Sequence, residues 1–472
     1  MSGTSRRQFL AASLLGAGSV SLGLLAFARH HVAGKPPPLS EAMGPLGVVN
    51  DENTGLPLLR LPEGFRYRSM SWAGTVLHDG HLVPGSADGM GVVRQEGSRV
   101  TLVRNHELQG NAGPIGDPEK AYDATPGGTT TLVFDTEKEA LLDSRVSLGG
   151  TLYNCAGGVT PWGSWLSCEE SVFSPEMAHL SPPRRQRYWK VDNARKPHGF
   201  VFEVPAEGVA GAIPIVAMGQ FNHEAVAIDP DTGIAYMTED AGPKAGFYRF
   251  LPDVPGKLAQ GGRLQMMKVL SRPEMSDYLV LGQEMDVEWV DIPDPTAGLV
   301  PAHPNGDGVV SQGIAAGGSA FVALEGCAYS EGRVYFTSKL GGHAMAGYVL
   351  EYHPAREKIW MVYQSEGHDI FSGPDNIVVS PRGGLVICED RLSTNKAAQS
   401  VAGLTRAGEI FRFCQVNPGL RGQFGGHDLS DTALNSEWAG ATFSGDGDWL
   451  FLNIYNPGVT LAITGPWQDG YL

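Results

Sequence analysis

The chain of 472 residues is poor in cysteine, in helical periodicity and in positive charge. Its five cysteines are an odd number, so at least one must be free, bound to a metal or paired with another molecule. The 63 glycines and 32 prolines favour many turns over long helices. A formal net charge of -16 argues against a general role in nucleic-acid binding, which needs a basic surface.

Several motifs of common enzyme classes are also missing. The sequence contains no Gly-x-Ser-x-Gly elbow and no evident Ser-His-Asp arrangement, which argues against a serine hydrolase. It has no Walker-type phosphate-binding loop. Beyond the N-terminus, no segment reaches the roughly 18 apolar residues that a membrane span requires.

The N-terminus reads "SRRQFLAASLLGAGSVSLGLLAFA" and is similar to a twin-arginine export signal. Cleavage is expected after Ala28. We therefore predict a signal peptide over 1–28, a linker over 29–45 and a mature domain over 46–472. The twin-arginine machinery would export the protein folded, into the periplasm or out of the cell. An ordinary export signal and an uncleaved anchor are the alternatives.

The remaining chain repeats a hairpin pattern in which a short apolar strand, a turn of Asp, Ser, Pro or Gly and a second strand are framed by polar residues. The clearest copies are "HEAVAIDPDTGIAYMTED", "EGCAYSEGRVYFTSK", "DNIVVSPRGGLVICED" and "AGATFSGDGDWLFLNI", with "NCAGGVTPWGSWLSCEES" a looser copy. Such repeats predict an all-β fold, a six-bladed β-propeller with insertions. A β-sandwich or jelly roll is the alternative.

A hairpin returns to the end at which it started, so its first and last residues lie close together. This places Glu224 near Glu239 and Asp240, and Cys155 near Glu169 and Glu170. The residues Asp375, Glu389 and Asp390 form a third such group. A propeller brings these ends to one mouth of its channel, where carboxylates would repel one another unless cations neutralise them. Acids on solvated loop tips are the alternative.

Two Asn-His-Glu tripeptides, at 105–107 and 222–224, add possible ligands. Asn and Glu offer oxygen ligands suited to calcium, whereas histidine binds transition metals or orients a carboxylate. The spacing of Cys155 and Cys168 leaves three interpretations open. They could form a cross-hairpin disulfide, both could be buried structural residues, or Cys155 could be a thiolate ligand of a transition metal such as iron.

Taken together, these segments resemble the PhoX-type alkaline phosphatases. The resemblance begins near residue 100 and runs to the C-terminus, and its motifs are "RNHE", "NCAGGVTPWGSWLSCEE", "FNHEAVAIDPDTGIAYMTED", "GFYRF", "EGCAY", "GPDNIVVSPRGGLVICED" and "FSGDGDWLFLNIYNPGVTLAITGPW". It implies an exported six-bladed propeller that holds Fe3+ and Ca2+ and hydrolyses phosphate monoesters.

The resemblance also implies residue roles. Cys155 would be an iron ligand, and Glu224 and Glu325 would be metal ligands that also serve catalysis. Glu107, Glu169, Glu239 and Asp240 match further acidic positions of the family and are predicted to complete the metal site. Metal-bound oxygen, not a side chain, would then be the nucleophile.

One position departs from the family pattern. The phosphatases carry a phosphate-binding arginine two residues before the glutamate of their Glu-Gly motif, and this chain has Ala323 there. Alanine cannot bind a phosphate oxygen, although Lys339, Arg382 or Arg391 could substitute. We therefore predict a monomeric metal-dependent phosphatase acting on a small phosphate ester. A non-catalytic calcium-binding propeller and another propeller hydrolase, such as a lactonase, are the alternatives.

Overall fold

The computed structural model describes residues 39–40, 42–176, 192–276, 279–300, 307–368, 370–391, 399–430, 436–469 and 471–472. The predicted signal peptide over 1–28 lies outside these residues, and so does most of the predicted linker. No helix in the described ranges is long and apolar enough to cross a membrane.

The described residues are almost entirely in strands and turns. The first fourteen strands are β1 Gly47–Val49, β2 Leu59–Leu61, β3 Arg66–Met70, β4 Ala87–Glu96, β5 Arg99–His106, β6 Gly127–Asp135, β7 Ala140–Thr151, β8 Asn154–Val159, β9 Ser164–Glu169, β10 Val201–Pro205, β11 His223–Ile228, β12 Ala235–Glu239, β13 Phe247–Pro252 and β14 Gly262–Val269. The others are β15 Met285–Asp291, β16 Leu324–Ser330, β17 Arg333–Ser338, β18 Tyr348–His353, β19 Lys358–Gln364, β20 Pro374–Val379, β21 Leu385–Glu389, β22 Ser400–Leu404, β23 Ile410–Val416, β24 Gln423–Phe424, β25 His427–Asp428, β26 Trp438–Phe443, β27 Leu450–Ile454 and β28 Val459–Thr464. The α-helix α1 Gly308–Ala315 and the 3-10 turns Val216–Met218, Leu258–Gln260 and Pro354–Arg356 lie between strands.

The strands form antiparallel meanders whose first members close into a ring. The strands β4, β8, β11, β16, β20 and β26 each contact the next, and β26 contacts β4. Each of these strands begins a sheet or a meander of a sheet. The predicted all-β, propeller-like fold is therefore confirmed, and the sandwich alternative is not.

The number of blades stays a prediction. The meanders that start at β11 and β16 are joined through β15 into one sheet of nine strands, because β15 pairs with both β14 and β19. The meander that starts at β8 has three strands among the described residues, and the one that starts at β20 is extended by β2 and β1 to six.

The predicted hairpins are present, and their turn chemistry is local. Between β11 and β12, the carboxylate of Asp229 accepts hydrogen bonds from the Asp231 N–H (3.0 Å) and the Thr232 hydroxyl (2.8 Å). Gly233 then adopts a φ of 74°, which costs a residue without Cβ little. An Asp-rich turn ending in glycine is therefore a sufficient signal for a hairpin here.

One sheet joins the two ends of the described chain. β3, near the N-terminus, pairs with β28 through a register that matches Leu461 with Ser69. Leu461 is fully buried among residues of this sheet and of the neighbouring one, including Phe413 and Leu452. The closing contact of the ring is thus a buried apolar layer, as expected from the hydrophobic effect.

We predict that Leu461→Ala lowers the free energy of unfolding by about 2–5 kcal/mol, because it opens a cavity in the closing sheet. Chemical denaturation would measure the change. Leu82→Ala is the control, since Leu82 is 63% exposed and the cost there should stay below about 0.5 kcal/mol. Equal effects of the two substitutions would contradict this view of how the ring is closed.

Candidate metal centre

Five of the six ring strands present a possible metal ligand at a β-bulge near their start. In each, two residues oppose a single residue of the next strand, which bends the backbone and redirects the side chain. The first residues of these bulges are Asp88, Cys155, Glu224, Glu325 and Asp375. The sixth strand, β26, has its bulge at Gly440 and Ala441.

Hydrogen bonds from the preceding hairpin fix the backbone of four of these residues. Asn105 Nδ2 donates to the Cys155 carbonyl (3.0 Å), and Thr337 Oγ1 donates to the Asp375 carbonyl (2.8 Å). Thr238 Oγ1 and Asn453 Nδ2 donate in the same way, to the carbonyls of Glu325 and Asp88, both at 2.5 Å. Four hairpins therefore position the ligand of the next one, and the ring is cross-linked at the level of the site.

A second set of side chains follows the second strand of each hairpin. One residue beyond the end of β5, β9, β12, β17, β21 and β27 stand Glu107, Glu170, Asp240, Lys339, Asp390 and Tyr455. All six line the same cavity as the bulge residues.

This axial cavity has a volume of about 480 Å³ and is strongly acidic. Its described lining includes nine carboxylates, one thiol and one lysine: Asp88, Glu107, Glu170, Glu224, Asp240, Glu325, Asp375, Asp390, Glu437, Cys155 and Lys339. Tyr153, Tyr455, Asn222 and Trp438 complete its polar and aromatic walls.

Burial of nine acids beside a single lysine favours the protonated forms of most of them. It raises the pKa of Asp88, Glu107, Glu170, Glu224, Glu325, Asp375 and Glu437, and it raises the pKa of the Cys155 thiol as well. Bound cations would reverse these shifts, since a positive charge favours carboxylate and thiolate.

The donor atoms are grouped closely enough to hold metal ions. Three trios have ligand atoms within 4.8 Å of one another: Cys155, Glu170 and Glu224; Asp88, Glu107 and Glu437; and Glu224, Glu325 and Asp375. Asn222 Oδ1 is buried and accepts no hydrogen bond within the described residues, whereas Glu325 Oε1 lies 3.0 Å from the ammonium of Lys339. An unpaired buried oxygen beside clustered carboxylates and a thiol fits a site for metal cations.

Five of the seven predicted metal residues line this cavity, and two do not. Glu107, Cys155, Glu224, Asp240 and Glu325 are brought together. The carboxylate of Glu169 instead accepts hydrogen bonds from His198 Nδ1 (2.6 Å) and from the backbone N–H groups of Leu152, Gly199 and Phe200. Glu239 accepts from the Gly246 N–H (2.8 Å) and the Tyr248 hydroxyl (2.7 Å).

The cavity also contains five acids that the sequence did not name as metal ligands: Asp88, Glu170, Asp375, Asp390 and Glu437. Glu170, Asp375 and Asp390 were expected at this mouth from the hairpin geometry, whereas Asp88 and Glu437 were not. The repeated hairpin pattern contains a sequence signal for four of these acids. Asp88 and Asp375 occupy the bulge position of Cys155 and Glu224, and Glu170 and Asp390 occupy the position of Asp240. Glu437 precedes β26 and has no counterpart in this pattern.

The motif histidines are structural in this fold. His106 Nδ1 lies 2.9 Å from the Gly85 carbonyl, and its Nε2 lies 2.9 Å from Thr130 Oγ1. His223 stacks on Phe221, with a centroid separation of 3.6 Å. Burial lowers the pKa of both histidines, so both stay neutral beside the acids. They align the glutamates that follow them in sequence.

The two cysteines of the first hairpin, Cys155 and Cys168, have different surroundings. All five cysteines are free and buried, so the possible Cys155–Cys168 disulfide is absent. Cys168 is fully buried in the core, whereas Cys155 lines the cavity.

Ala323 is not among the residues that line the cavity, but it is adjacent to one that is. Its carbonyl accepts a hydrogen bond from the backbone N–H of Lys339 (2.9 Å). Of the three basic residues named as possible substitutes, only Lys339 lines the cavity. Arg382 Nη1 donates to the Gly447 carbonyl (2.6 Å), and Arg391 Nε pairs with Glu389.

Fold and cavity together define a β-propeller with an axial acidic centre suited to metal ions. A family model described as alkaline phosphatase PhoX matches residues 43–458. The chain therefore belongs to the PhoX family of alkaline phosphatases, as the sequence motifs predicted.

One solved structure supports the fold. Pseudomonas fluorescens PhoX in complex with vanadate, a transition-state analogue, is similar with a TM-score of 0.60 and 17% identity, over 91% of this chain and 97% of that one. A gluconolactonase from Xanthomonas campestris, XC5397, is more distant, with a TM-score of 0.44 and 12% identity over 92% of this chain and 99% of that one. No curated protein matches the sequence.

The adjacent acids Glu169 and Glu170 provide a matched test of the geometry. We predict that Glu170→Gln lowers the metal content of the purified protein, because Glu170 lies in the trio with Cys155 and Glu224. Glu169→Gln should leave metal content unchanged and instead cost about 1–3 kcal/mol of stability, since an amide cannot accept all of the hydrogen bonds made there. Elemental analysis and denaturation of both variants would separate the roles, and metal loss from Glu169→Gln alone would contradict them.

The raised pKa values predict how the metal-free protein responds to pH. Burial raises the pKa of Glu107 from 4.5 to about 7, so the folded state binds this proton more tightly than the unfolded chain does. The resulting stability is present below the unfolded pKa and is lost as pH rises through the folded one. After removal of metals, the melting temperature should therefore be lower at about pH 8.5 than at about pH 5.5.

Added calcium and iron should reduce this dependence, and so should Glu107→Gln in the metal-free protein. Calorimetry across that pH range is the measurement. A melting temperature that rises with pH in the metal-free protein would show that the cavity acids do not govern its stability.

Proposed function

We propose that this protein is an exported, metal-dependent phosphatase that hydrolyses phosphate monoesters. The observation that carries the proposal is the axial cavity, where bulges in five ring strands place four carboxylates and one thiol on the wall of a single cavity in a PhoX-family chain. The Pseudomonas fluorescens relative binds vanadate, a transition-state analogue, which supports phosphoryl chemistry in this fold.

The donor set suggests which residues would hold which ion. Cys155, Glu170 and Glu224 would hold Fe3+, because a thiolate among carboxylates favours a transition metal. Asp88, Glu107 and Glu437 offer only oxygen, the preferred ligand of Ca2+. When bound, such ions neutralise phosphoryl oxygens and lower the pKa of coordinated water.

The protein's own groups would position the substrate and exclude water. The hydrogen bonds that fix the bulge carbonyls hold the ligands rigidly, so little reorganisation is needed during the reaction. Tyr153 and Tyr455 place hydroxyl groups on the wall, and Trp438 offers an apolar face. The cavity volume of about 480 Å³ suits a small ester.

The place of action is part of the proposal. The twin-arginine motif at Arg6 and Arg7 supports export of the folded, metal-loaded chain to the periplasm or beyond. We expect the exported protein to be a monomer. The experiment that tests export is localisation of the full chain, compared with an Arg6→Lys, Arg7→Lys variant.

We predict that Cys155→Ala loses iron and lowers phosphomonoesterase activity more than about 100-fold, because it removes the soft ligand of the centre. Cys414→Ala is the matched control, since Cys414 is also fully buried but lies in the core away from the cavity. A chromogenic phosphate monoester, assayed with and without a chelator, gives the activity, and elemental analysis gives the iron.

A lactone substrate should be assayed in parallel. Unchanged iron in Cys155→Ala would refute the ligand assignment. Hydrolysis of the lactone but not of the phosphate ester would refute the proposed reaction.

A further inference from the structure

Lys339 breaks the pattern of the second ring position. The residue after the second strand is a carboxylate in four other hairpins, at Glu107, Glu170, Asp240 and Asp390. At this place the hairpin β16–β17 supplies a cation, whereas its two neighbours in the ring supply the carboxylates Asp240 and Asp390. The exchange reverses the charge at one point of an otherwise acidic ring.

The ammonium group lies among three carboxylates. Its Nζ is 3.0 Å from Glu325 Oε1, 3.2 Å from Asp375 Oδ2 and 2.8 Å from Asp390 Oδ2. The side chain of Lys339 is only 14% exposed. All three separations lie within the range of an N–H···O hydrogen bond.

These contacts overlap with one ligand trio only. Glu325 and Asp375 belong to the trio with Glu224, whereas the trios of Cys155 and of Asp88 contain no partner of Lys339. An ammonium and a divalent cation that share two carboxylates repel each other at short range. The third trio is therefore the one place where the protein's own charge competes with a metal.

We propose that Lys339 is a built-in cation of the centre, which pairs with Glu325, Asp375 and Asp390 and excludes a metal ion from the trio of Glu224, Glu325 and Asp375. The inference rests on the proposed metal centre. It means that the centre loads ions at two trios and keeps a fixed, non-exchangeable charge at the third. A chelator would strip the former and leave the latter.

A phosphate-binding role is the competing use of the same side chain. An ammonium has three N–H donors, and Lys339 already has three carboxylate partners. The ammonium of Lys339 is thus already paired with groups of the protein. A clamp for substrate would need donors directed into the open part of the cavity.

The test is the metal content of Lys339→Gln, with Lys358→Gln as the control because Lys358 pairs with Asp286 at the exposed outer surface. We expect Lys339→Gln to hold about one more divalent ion per chain than either wild type or the control. Calcium should also raise its melting temperature further than it raises that of the wild type.

Equal metal content in all three proteins would overturn the inference. Weaker inhibition by inorganic phosphate in Lys339→Gln, with unchanged metal content, would also overturn it and assign Lys339 to the substrate. The proposed phosphatase centre is judged separately, by the absolute iron and calcium content of the wild type, so that either idea can fail alone.

Asp390→Asn decides the matter if Lys339→Gln does not fold. Asp390 lies in none of the three trios and contacts the ammonium, so its substitution should leave metal content unchanged. Loss of an ion from Asp390→Asn would show that this carboxylate serves a metal and not Lys339.

Discussion

The structure depends on keeping many carboxylates together at the axis of a closed ring. Each of them loses hydration there and repels the others, which is why burial raises so many of their pKa values. The ligands stay in place because they lie on bulges whose carbonyls accept hydrogen bonds from the neighbouring hairpin. Asn105 donates to the carbonyl of Cys155, and Thr337 donates to that of Asp375. The same hydrogen bonds therefore stabilise the ring and fix the geometry of the site.

The acidic pairs at the strand ends show how one short motif performs two tasks. Side chains alternate in direction along a strand, so adjacent acids face opposite ways. Glu169 accepts hydrogen bonds from the surrounding loops while Glu170 faces the cavity. Glu389 repeats the arrangement, since it accepts from the Ser372 and Ser400 N–H groups while Asp390 lines the cavity. The first acid of each pair thus stabilises the cavity wall, and the second acid faces the cavity.

Much of this could be read from the sequence. The hairpin turns follow from Asp, Gly and Pro chemistry that is local, and the propeller follows from their repetition. The rule that the two ends of a hairpin lie close together is sufficient to predict that Cys155, Glu224 and Asp240 share one mouth of the channel. The choice between Glu169 and Glu170 could not be made, because it depends on where the strand ends to within one residue. Asp88 was missed for a related reason: its bulge is visible only once the register with His106 and Arg104 is known.

The positive charge of Lys339 also affects the protonation of the cavity acids in the metal-free protein. Burial opposes the ionisation of Asp390, yet the charge and hydrogen bond of Lys339 outweigh it and lower the pKa of that carboxyl, whereas the pKa values of Glu325 and Asp375, which also contact Lys339, stay raised. The ammonium thus keeps Asp390 ionised in the metal-free chain, while the trios of Cys155 and Asp88 hold protons that incoming cations must displace. The same cavity therefore contains one permanent positive charge, the ammonium of Lys339, and two trios that would bind exchangeable cations. The departure at Ala323 is next to this lysine, through the hydrogen bond between their backbones, so the two unusual residues of the chain modify a single region of the site.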